Sequence, residues 1–182
     1  MLTKVQGRVE LIKTDTDRAR PVKPGDSAAV GELLRSGKDA SAQLVFTDDS
    51  FVILFPETLL LVTQYAYTPR DNRRSAVTKV REGRARFVVY RKRSGDSRFV
   101  VETGHASMNV GMADFFVSVS PAETEVANIG SPFQVKNVSG LIVDRVSLGA
   151  NQKTTVTGMT PPSQPATLTP EQRRKYIKDA GY

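Results

Sequence analysis

The chain has 182 residues, of which 39% are hydrophobic, so it has the length of one domain and enough apolar surface for a packed core. It contains no cysteine, which excludes disulfides, thiolate metal sites and thiol nucleophiles. The net charge of +7 is concentrated between residues 70 and 98, which hold eleven Lys or Arg and three acidic residues. A partner attracted by basic charge is therefore expected to bind in that region.

Targeting signals are weak in this sequence. No segment approaches the roughly 20 consecutive apolar residues that a membrane-spanning helix needs. The first residues, Met1–Val5, lack the apolar centre of a signal peptide. Two interpretations remain open: the protein stays inside the cell, or Met1 is an artificial start that follows a removed signal.

The first third of the chain alternates short apolar segments with turn residues. A strand is predicted over residues 7–13, and Phe51–Phe55 is apolar throughout, which is typical of a central strand covered on both faces. Between them lie glycine and aspartate clusters that favour tight β-turns. These clusters are Gly25-Asp26, Gly31, Gly37 and Asp48-Asp49-Ser50.

The middle of the chain suggests a β-hairpin. Residues 84–91 and 98–103 alternate in polarity and flank Ser94-Gly95-Asp96. An antiparallel pair with this three-residue loop has its apolar positions on one buried face. Those positions are Phe87, Val89, Phe99 and Val101. The opposite face is predicted to be exposed and basic, with Arg84, Arg86, Val88, Tyr90, Arg98, Val100 and Glu102.

Further strands are predicted between residues 59 and 157, where short apolar segments continue to alternate with turn residues. They lie at residues 59–62, 77–81, 114–120, 125–129, 133–137, 141–146 and 153–157. A spacing near ten residues with turn breaks predicts an all-β fold, either a sandwich or a solenoid-like stack of antiparallel hairpins. The sequence has no exact internal repeat, which argues against a strictly periodic solenoid.

The C-terminal region changes character. Residues 159–168 are predicted to be a Pro-rich, extended linker. A helix of about ten residues is predicted to follow, with Thr169 as N-cap, Pro170 in the first helical position and Gln172 closing a capping box. Because so short a helix is marginal alone in water, we expect it to dock. Its docking residues are predicted to be Tyr176, Ile177 and Tyr182, with a neighbouring subunit as receptor or, alternatively, a frayed end.

Catalytic and metal sites are poorly supported. His105 is the only histidine, and no Gly-x-Ser-x-Gly elbow accompanies it, so it is interpreted as a turn residue. The carboxylates Asp15, Asp17, Asp48 and Asp49 lack the spacing of a calcium loop. No metal or cofactor is expected.

The basic region has two interpretations. It is either a solvated sheet face with a flexible loop, or an anion-binding surface in which arginine forks hold carboxylates or phosphates. The candidate residues are Arg73, Arg74, Arg84, Arg86, Tyr90, Arg91, Lys92 and Arg93. The candidate ligands are lipid phosphates, acidic glycans, peptidoglycan carboxylates and acidic protein surfaces. Nucleic acid is disfavoured, because no helix-turn-helix pattern or RNA-binding motif is present.

The order of the turns and strands resembles the FecR domain of exported bacterial proteins. The segments that carry the resemblance are Gly7-Arg8-Val9, Gly25-Asp26, Gly31-Glu32, Ser36-Gly37, Asp48-Asp49-Ser50, residues 80–87 and residues 99–106. Each segment is mostly turn chemistry, and their serial order over residues 5–157 makes the match specific. The resemblance implies a non-catalytic β module and an exported location.

The sequence departs from the family pattern in three places. Asp49 stands where glycine is usual, and Gly104 stands where proline is usual. Because aspartate tolerates a positive φ better than most non-glycine residues, the turn at Asp49 is expected to survive. Residues 111–113 are Gly-Met-Ala where the family has Arg-Gly-Thr, so no role of that tripeptide transfers to this chain.

The resemblance implies a FecR-like β domain over residues 5–158. The proline content and the capping residues predict the linker at 159–168 and the helical tail at 169–181 after it. The expected function is a non-enzymatic binding or scaffolding module of the cell envelope that acts through protein–protein or anionic-ligand contacts. It is expected to be a structural subunit of an envelope assembly, with self-assembly through edge strands as one form of contact. The alternative is a periplasmic ligand-sensing module of FecR-type signalling that regulates iron uptake. An envelope hydrolase is the third hypothesis. The expected location is periplasmic, with the cytoplasm as the alternative.

Overall fold

The computed structural model of the chain describes residues 1–90 and 96–179. These residues form sixteen β-strands and one α-helix. The elements are β1 Leu2–Gln6, β2 Val9–Lys13, β3 Arg18–Pro21, β4 Glu32–Ser36, β5 Ser41–Val45, β6 Phe51–Leu54, β7 Leu59–Thr68, β8 Arg73–Val89, β9 Arg98–Glu102, β10 Ala106–Val110, β11 Ala113–Val119, β12 Glu123–Asn128, β13 Phe133–Asn137, β14 Arg145–Leu148, β15 Gln152–Thr157, β16 Ala166–Thr167 and α1 Pro170–Asp179. The predicted all-β class with a short C-terminal helix is confirmed. The described residues form no helix with the length and apolar content that a membrane span needs.

The strands form two layers that share one long strand. The first layer, sheet A, has the order β1-β5-β6-β8-β11-β12-β15-β16. The second layer, sheet B, has the order β3-β2-β4-β7-β8-β9-β10-β13-β14. Strand β8 belongs to both, because residues 73–82 pair with β7 in sheet B and residues 83–89 pair with β11 in sheet A.

The chain crosses between the layers at corners that stack on one another. Two corners depend on glycine. Gly83, inside β8, has a φ of 87°, and a Cβ there would lie 2.3 Å from the carbonyl oxygen of Glu57. Gly7 has a φ of 71°, and its Cβ would lie 2.8 Å from the carbonyl oxygen of Asp39. Only glycine combines this backbone conformation with so close an approach of the next corner.

The core lies between the two layers and is rich in phenylalanine. Phe87 of sheet A and Phe99 of sheet B are both fully buried, and the ring of Phe115 stacks on Phe87 with 5.4 Å between centroids. The four residues predicted to face the core from the middle of the chain are all buried, as expected. They are Phe87, Val89, Phe99 and Val101.

The hairpin predicted for residues 84–103 is wrong. Strand β9 does not pair with the second half of β8; it pairs in parallel with residues 75–79 in the first half of β8. The second half of β8 is instead flanked by β6 and β11. Polarity alternates identically in parallel and antiparallel neighbours, so the pattern placed the correct side chains in the core without fixing the partner strand.

Strand β6 is covered on one face more completely than on the other. Val52 and Leu54 point into the core and are fully buried, whereas Phe51 and Ile53 on the opposite face are half-buried. The expectation that both faces are covered is therefore wrong in part. The neighbouring turn survives its substitution as expected, since Asp49 adopts a φ of 70°.

The tail is attached to the β-strands along its length. Asn137 donates from Nδ2 to the carbonyl oxygens of Gly158 and Thr160, at 2.8 Å each, and β16 pairs with β15. The predicted capping box is present: Thr169 N donates to Gln172 Oε1, and Gln172 N donates to Thr169 Oγ1. The division of the chain at residues 158 and 168 stays a prediction.

Candidate tail-docking site at Arg84

Arg84 follows the Gly83 corner and points outward from sheet A, where three aromatic rings surround its guanidinium. The Cζ atom lies 4.7 Å from the ring centroid of Phe55, 5.0 Å from that of Phe116 and 5.0 Å from that of Tyr176. Phe55 follows β6 and Phe116 lies on β11, so sheet A supplies two rings and α1 supplies the third. Such contacts favour a cation electrostatically.

Helix α1 also neutralises the charge of Arg84. Arg84 Nη1 donates to Asp179 Oδ2 at 2.5 Å, and the two side chains are 24% and 26% exposed. Tyr176 and Asp179 are three positions apart, so they lie on the same face of the helix and reach the same arginine. The helix thus contacts Arg84 of its own chain, and docking of the tail on a neighbouring subunit stays a prediction.

A second contact fixes the ring of Tyr176. Its hydroxyl donates to Glu125 Oε1 at 2.8 Å, and Lys153 Nζ donates to Glu125 Oε2 at 2.7 Å. Burial raises the pKa of Glu125, but the hydrogen bonds from Lys153 and Tyr176, with the charges of Lys153 and Arg84, outweigh it and hold the pKa below the usual range. Burial and the bond to Glu125 raise the pKa of Tyr176.

Two clefts adjoin this site and share Arg84, Ser118 and Glu125 as lining residues. The larger one has a volume of about 600 Å³ and is bordered by the corner residues Glu57 and Glu82. The other, of about 350 Å³, runs along α1 beside Lys153 and Lys175. The linings carry charges of both signs, which suits the binding of polar or charged groups.

Arg86 is not available to a ligand. Its side chain is 1% exposed, and it binds Asp114 with two parallel bonds, Nε to Oδ1 at 2.8 Å and Nη2 to Oδ2 at 2.6 Å. The predicted exposed row of Arg84, Arg86 and Tyr90 is therefore wrong at its centre. Asp114, which follows the Gly-Met-Ala segment, neutralises the arginine that the sequence pattern had placed on the surface.

Arg74 is also buried, contrary to the expectation of an exposed basic surface. Its Nη1 donates to Asp48 Oδ2 at 2.5 Å, and neither side chain has exposed area. Ser50 and Tyr65 also donate to Asp48 through their hydroxyl groups. The segment Asp48-Asp49-Ser50 is a turn, as interpreted from the sequence, and its first carboxylate is used inside the protein.

The remaining predicted residues fall into two groups. Arg73 is exposed, Tyr90 is 46% exposed and Ile177 is half-buried. Arg91, Lys92, Arg93 and Tyr182 lie outside the described residues. An anion-binding role for Arg73 and the three basic residues after Tyr90 stays a proposal.

His105 lies in the turn between β9 and β10, as interpreted. Its Nδ1 lies 3.3 Å from Thr124 Oγ1, and Thr124 is fully buried beside Thr103. Within residues 1–90 and 96–179, no three side chains of the types His, Asp and Glu are grouped in a way that could hold a metal ion.

The sequence alone did not predict Asp179 and Glu125 as residues that contact Arg84 and Tyr176. The sequence did contain an indication for Asp179. It lies one helical turn after the predicted docking residue Tyr176, so both side chains are on one helix face, and a carboxylate on that face can pair with a cation on the surface that receives the helix. Glu125 had no local signal, since its partners Lys153 and Tyr176 are 28 and 51 positions away.

Comparisons with known proteins agree with this fold. Residues 32–129, just over half of the chain, match the model of the FecR protein family, a shorter range than the expected 5–157. Two similar crystal structures, each of a candidate anti-sigma factor from Parabacteroides distasonis, have TM-scores of 0.61 and identities of 16% and 18%. The alignments cover 80% of this chain but 63% and 64% of those chains, so this chain spans less than two thirds of their length. No curated protein matches it in sequence.

Proposed function

Because the chain belongs to the FecR family, we propose that it is a non-enzymatic, periplasmic module of FecR-type signalling that binds a protein partner. The similarity in fold to two candidate anti-sigma factors supports a regulatory role. The mixed charges of the clefts at Arg84 support binding rather than catalysis.

One observation carries the mechanism: Arg84 lines both clefts and at the same time holds the C-terminal helix. A partner that takes over the carboxylate or ring contacts of Arg84 competes directly with Asp179 and Tyr176. The docked and released helix are then two states whose populations the partner shifts. The contacts involved are individually modest, because a partly exposed ion pair contributes about 1 kcal/mol or less and such a cation–ring contact about 0.5–1 kcal/mol.

The test uses a charge exchange in the source bacterium. Arg84→Glu breaks the contact with Asp179, and adding Asp179→Arg restores an ion pair with the charges reversed. Genome-wide transcripts are compared among the wild type, a deletion strain, the single variant and the double variant. A signalling module gives a defined set of responding genes that shifts in the single variant and returns in the double variant. Unchanged transcripts in the deletion strain would reject the signalling function.

Location is tested separately. Cells that produce the native gene product with an epitope tag are fractionated by osmotic shock. The tagged protein is then located by immunoblot, with a cytoplasmic enzyme as the marker of the cytoplasmic fraction. Recovery of the protein with the cytoplasmic marker would contradict the periplasmic assignment and leave the binding role of Arg84 to be judged on its own result.

Scaffolding is the second candidate, and the outer surface of sheet A favours it. Phe51 and Ile53 are half-buried there, and β3 and β14 at the margins of sheet B pair with no further described strand. Free edges and apolar faces permit self-assembly. A scaffold predicts a concentration-dependent assembly that is insensitive to His105→Ala and weakens when residues 160–182 are removed. A strict monomer at every concentration in size-exclusion chromatography would discard it.

A further inference from the structure

The loop between β13 and β14 exposes an unusual amount of apolar side chain. Leu141 and Val143 are 82% and 83% exposed, the highest values among the large hydrophobic residues that the structure describes. Val138 of the same loop is 38% exposed. Isolated exposed aliphatic residues are common on protein surfaces, but several on one protruding loop indicate an interaction site. We name residues 138–144 the tip loop.

The base of the tip loop is fixed rather than loose. Asn137 is 1% exposed, and its Oδ1 accepts a hydrogen bond of 2.8 Å from Ser139 N. The same side chain donates to the carbonyl oxygens of Gly158 and Thr160, at 2.8 Å each. Met159, which is 59% exposed, lies between these two acceptors. Asn137 therefore fixes a further exposed apolar residue, Met159, beside the tip loop.

Two basic residues stand at the base of the tip loop with like charges side by side. Lys136 and Arg145 are directly opposite each other in the antiparallel pair of β13 and β14, and both are exposed. Neither forms an ion pair with any residue in the described ranges. Like charges in this position destabilise a sheet, so they call for an anionic partner. Asp144 is the one acidic residue of the loop.

The positive charge continues across the outward face of the same sheet. Lys79, Arg81 and Arg98 lie on β8 and β9 with no ion pair in the described residues, and Glu102 is the register partner of Lys79. In register, Lys79 and Arg81 lie at the tip-loop end of this face, three strands from β13, and Arg98 lies at its far end. The arrangement is an apolar loop with two basic residues at its base and further cations on the same sheet face, which suits a segment that lies at an anionic membrane surface.

We propose that the tip loop inserts Leu141 and Val143 into the surface of an anionic lipid bilayer, while Lys136 and Arg145 bind the lipid phosphates. A bilayer is favoured over a protein partner because projecting aliphatic side chains enter acyl chains without a pocket of matching shape. Charge complementarity selects anionic rather than zwitterionic lipid. This inference concerns a surface away from Arg84 and does not depend on the proposed signalling function.

The absence of tryptophan from the sequence allows a direct test with the full chain. Leu141→Trp introduces a single fluorophore at the tip, and Val30→Trp, at a residue 53% exposed on another loop, is the matched control. Vesicles of phosphatidylglycerol and phosphatidylcholine are compared with pure phosphatidylcholine, and brominated acyl chains serve as quenchers. The tip fluorophore is expected to shift to shorter wavelength and to be quenched by the anionic vesicles, whereas the control is not.

Vesicle sedimentation measures the contribution of each group of side chains. Leu141→Ser with Val143→Ser is expected to lower the partition coefficient about tenfold or more, because both side chains lose their transfer to acyl chains. Lys136→Gln with Arg145→Gln is expected to lower it by about tenfold, and added salt should reproduce this loss. Val30→Ser with Met112→Ser, at exposed apolar residues elsewhere, should leave it unchanged.

Each remaining outcome rejects the proposal. Equal binding to anionic and zwitterionic vesicles would contradict the proposed role of Lys136 and Arg145. Unaltered binding of the serine variants would contradict the insertion of Leu141 and Val143. Competition by soluble glycerol phosphate at equal strength would identify a phosphate site without a bilayer. No binding to any vesicle, with circular dichroism showing folded protein, would assign the exposed loop to a protein partner instead.

Discussion

Arg84 and Asp179 are 95 positions apart in the sequence, and their Nη1 and Oδ2 atoms lie 2.5 Å apart. The first residue belongs to the strand shared by both sheets, and the second is the last residue of the C-terminal helix. The contact therefore ties the end of the chain to the centre of the fold. Because both side chains are about a quarter exposed, salt and competing ligands can reach the pair.

Replacing the ring at this site should release the helix without unfolding the sheets. Tyr176→Ala removes the ring contacts with Arg84 and Phe116 and the hydrogen bond to Glu125, which should lower the free energy of helix undocking by about 3 kcal/mol. Hydrogen exchange measures the effect as faster exchange in residues 170–179. Tyr90→Ala, at a half-exposed tyrosine, is the control and should change nothing there. Slow exchange in the Tyr176 variant would contradict the docking.

The buried pair of Arg74 and Asp48 should behave as one unit. Asp48→Ala leaves a cation in the core and is expected to cost about 3–5 kcal/mol of the free energy of unfolding. Adding Arg74→Met removes that cation, so the double variant should be more stable than the single one by about 1–3 kcal/mol. Urea unfolding measures both values. A double variant less stable than Asp48→Ala would show that the pair is not coupled.

The corner at Gly83 should be intolerant of any side chain. Gly83→Ala combines a positive φ with a Cβ 2.3 Å from the carbonyl of Glu57, so we expect a loss of more than about 3 kcal/mol or no folded protein. Gly25 has a φ of 96° with open space around it, and Gly25→Ala should cost about 1–2 kcal/mol. Thermal unfolding of the two variants compares them. Equal losses would mean that backbone strain, and not the close approach, controls the corner.

Acid should weaken the helix docking through Glu125. Its pKa is lowered in the folded state, so its ionised form stabilises the fold above the ordinary value of 4.5, and this contribution is lost as the pH falls through the lowered pKa. The difference in stability between the wild type and Glu125→Gln should be present at neutral pH and disappear in strong acid.

The pH experiment has to compare the stability of two variants, because a second carboxyl group also has a lowered pKa and titrates in acid. Hydrogen bonds from Arg35 and Arg8 lower the pKa of Glu10, on the opposite sheet. Both the wild type and the Glu125→Gln variant retain that group, so its effect cancels. A difference that stays constant from neutral pH to strong acid would rule out the assigned role of Glu125.

Features that depend on neighbouring residues were predictable from the sequence. The capping box at Thr169 needs Gln172 three positions on, and the turn at Asp49 needs a residue that tolerates a positive φ. The apolar alternation of β8 and β9 correctly placed Phe87 and Phe99 in the core. These properties are set within a few residues, so a single sequence contains them.

Features that depend on distant partners were not predictable. Arg74 and Arg86 have the polarity of surface residues, and their burial follows from Asp48 and Asp114, which are 26 and 28 positions away. The parallel pairing of β8 with β9 likewise depends on how the whole sheet is ordered. Charge counting located the basic region but could not separate arginines that neutralise internal carboxylates from those that face solvent.

The sharing of β8 has a mechanical consequence. This strand runs for 17 residues through both layers, and its second half carries the arginine that anchors the end of the chain. Neither sheet can separate completely while the other keeps all of its strands, because β8 is part of both. A pull applied to the docked helix acts first on the side-chain contacts at Arg84, and from Arg84 the force passes into both sheets along the backbone of β8.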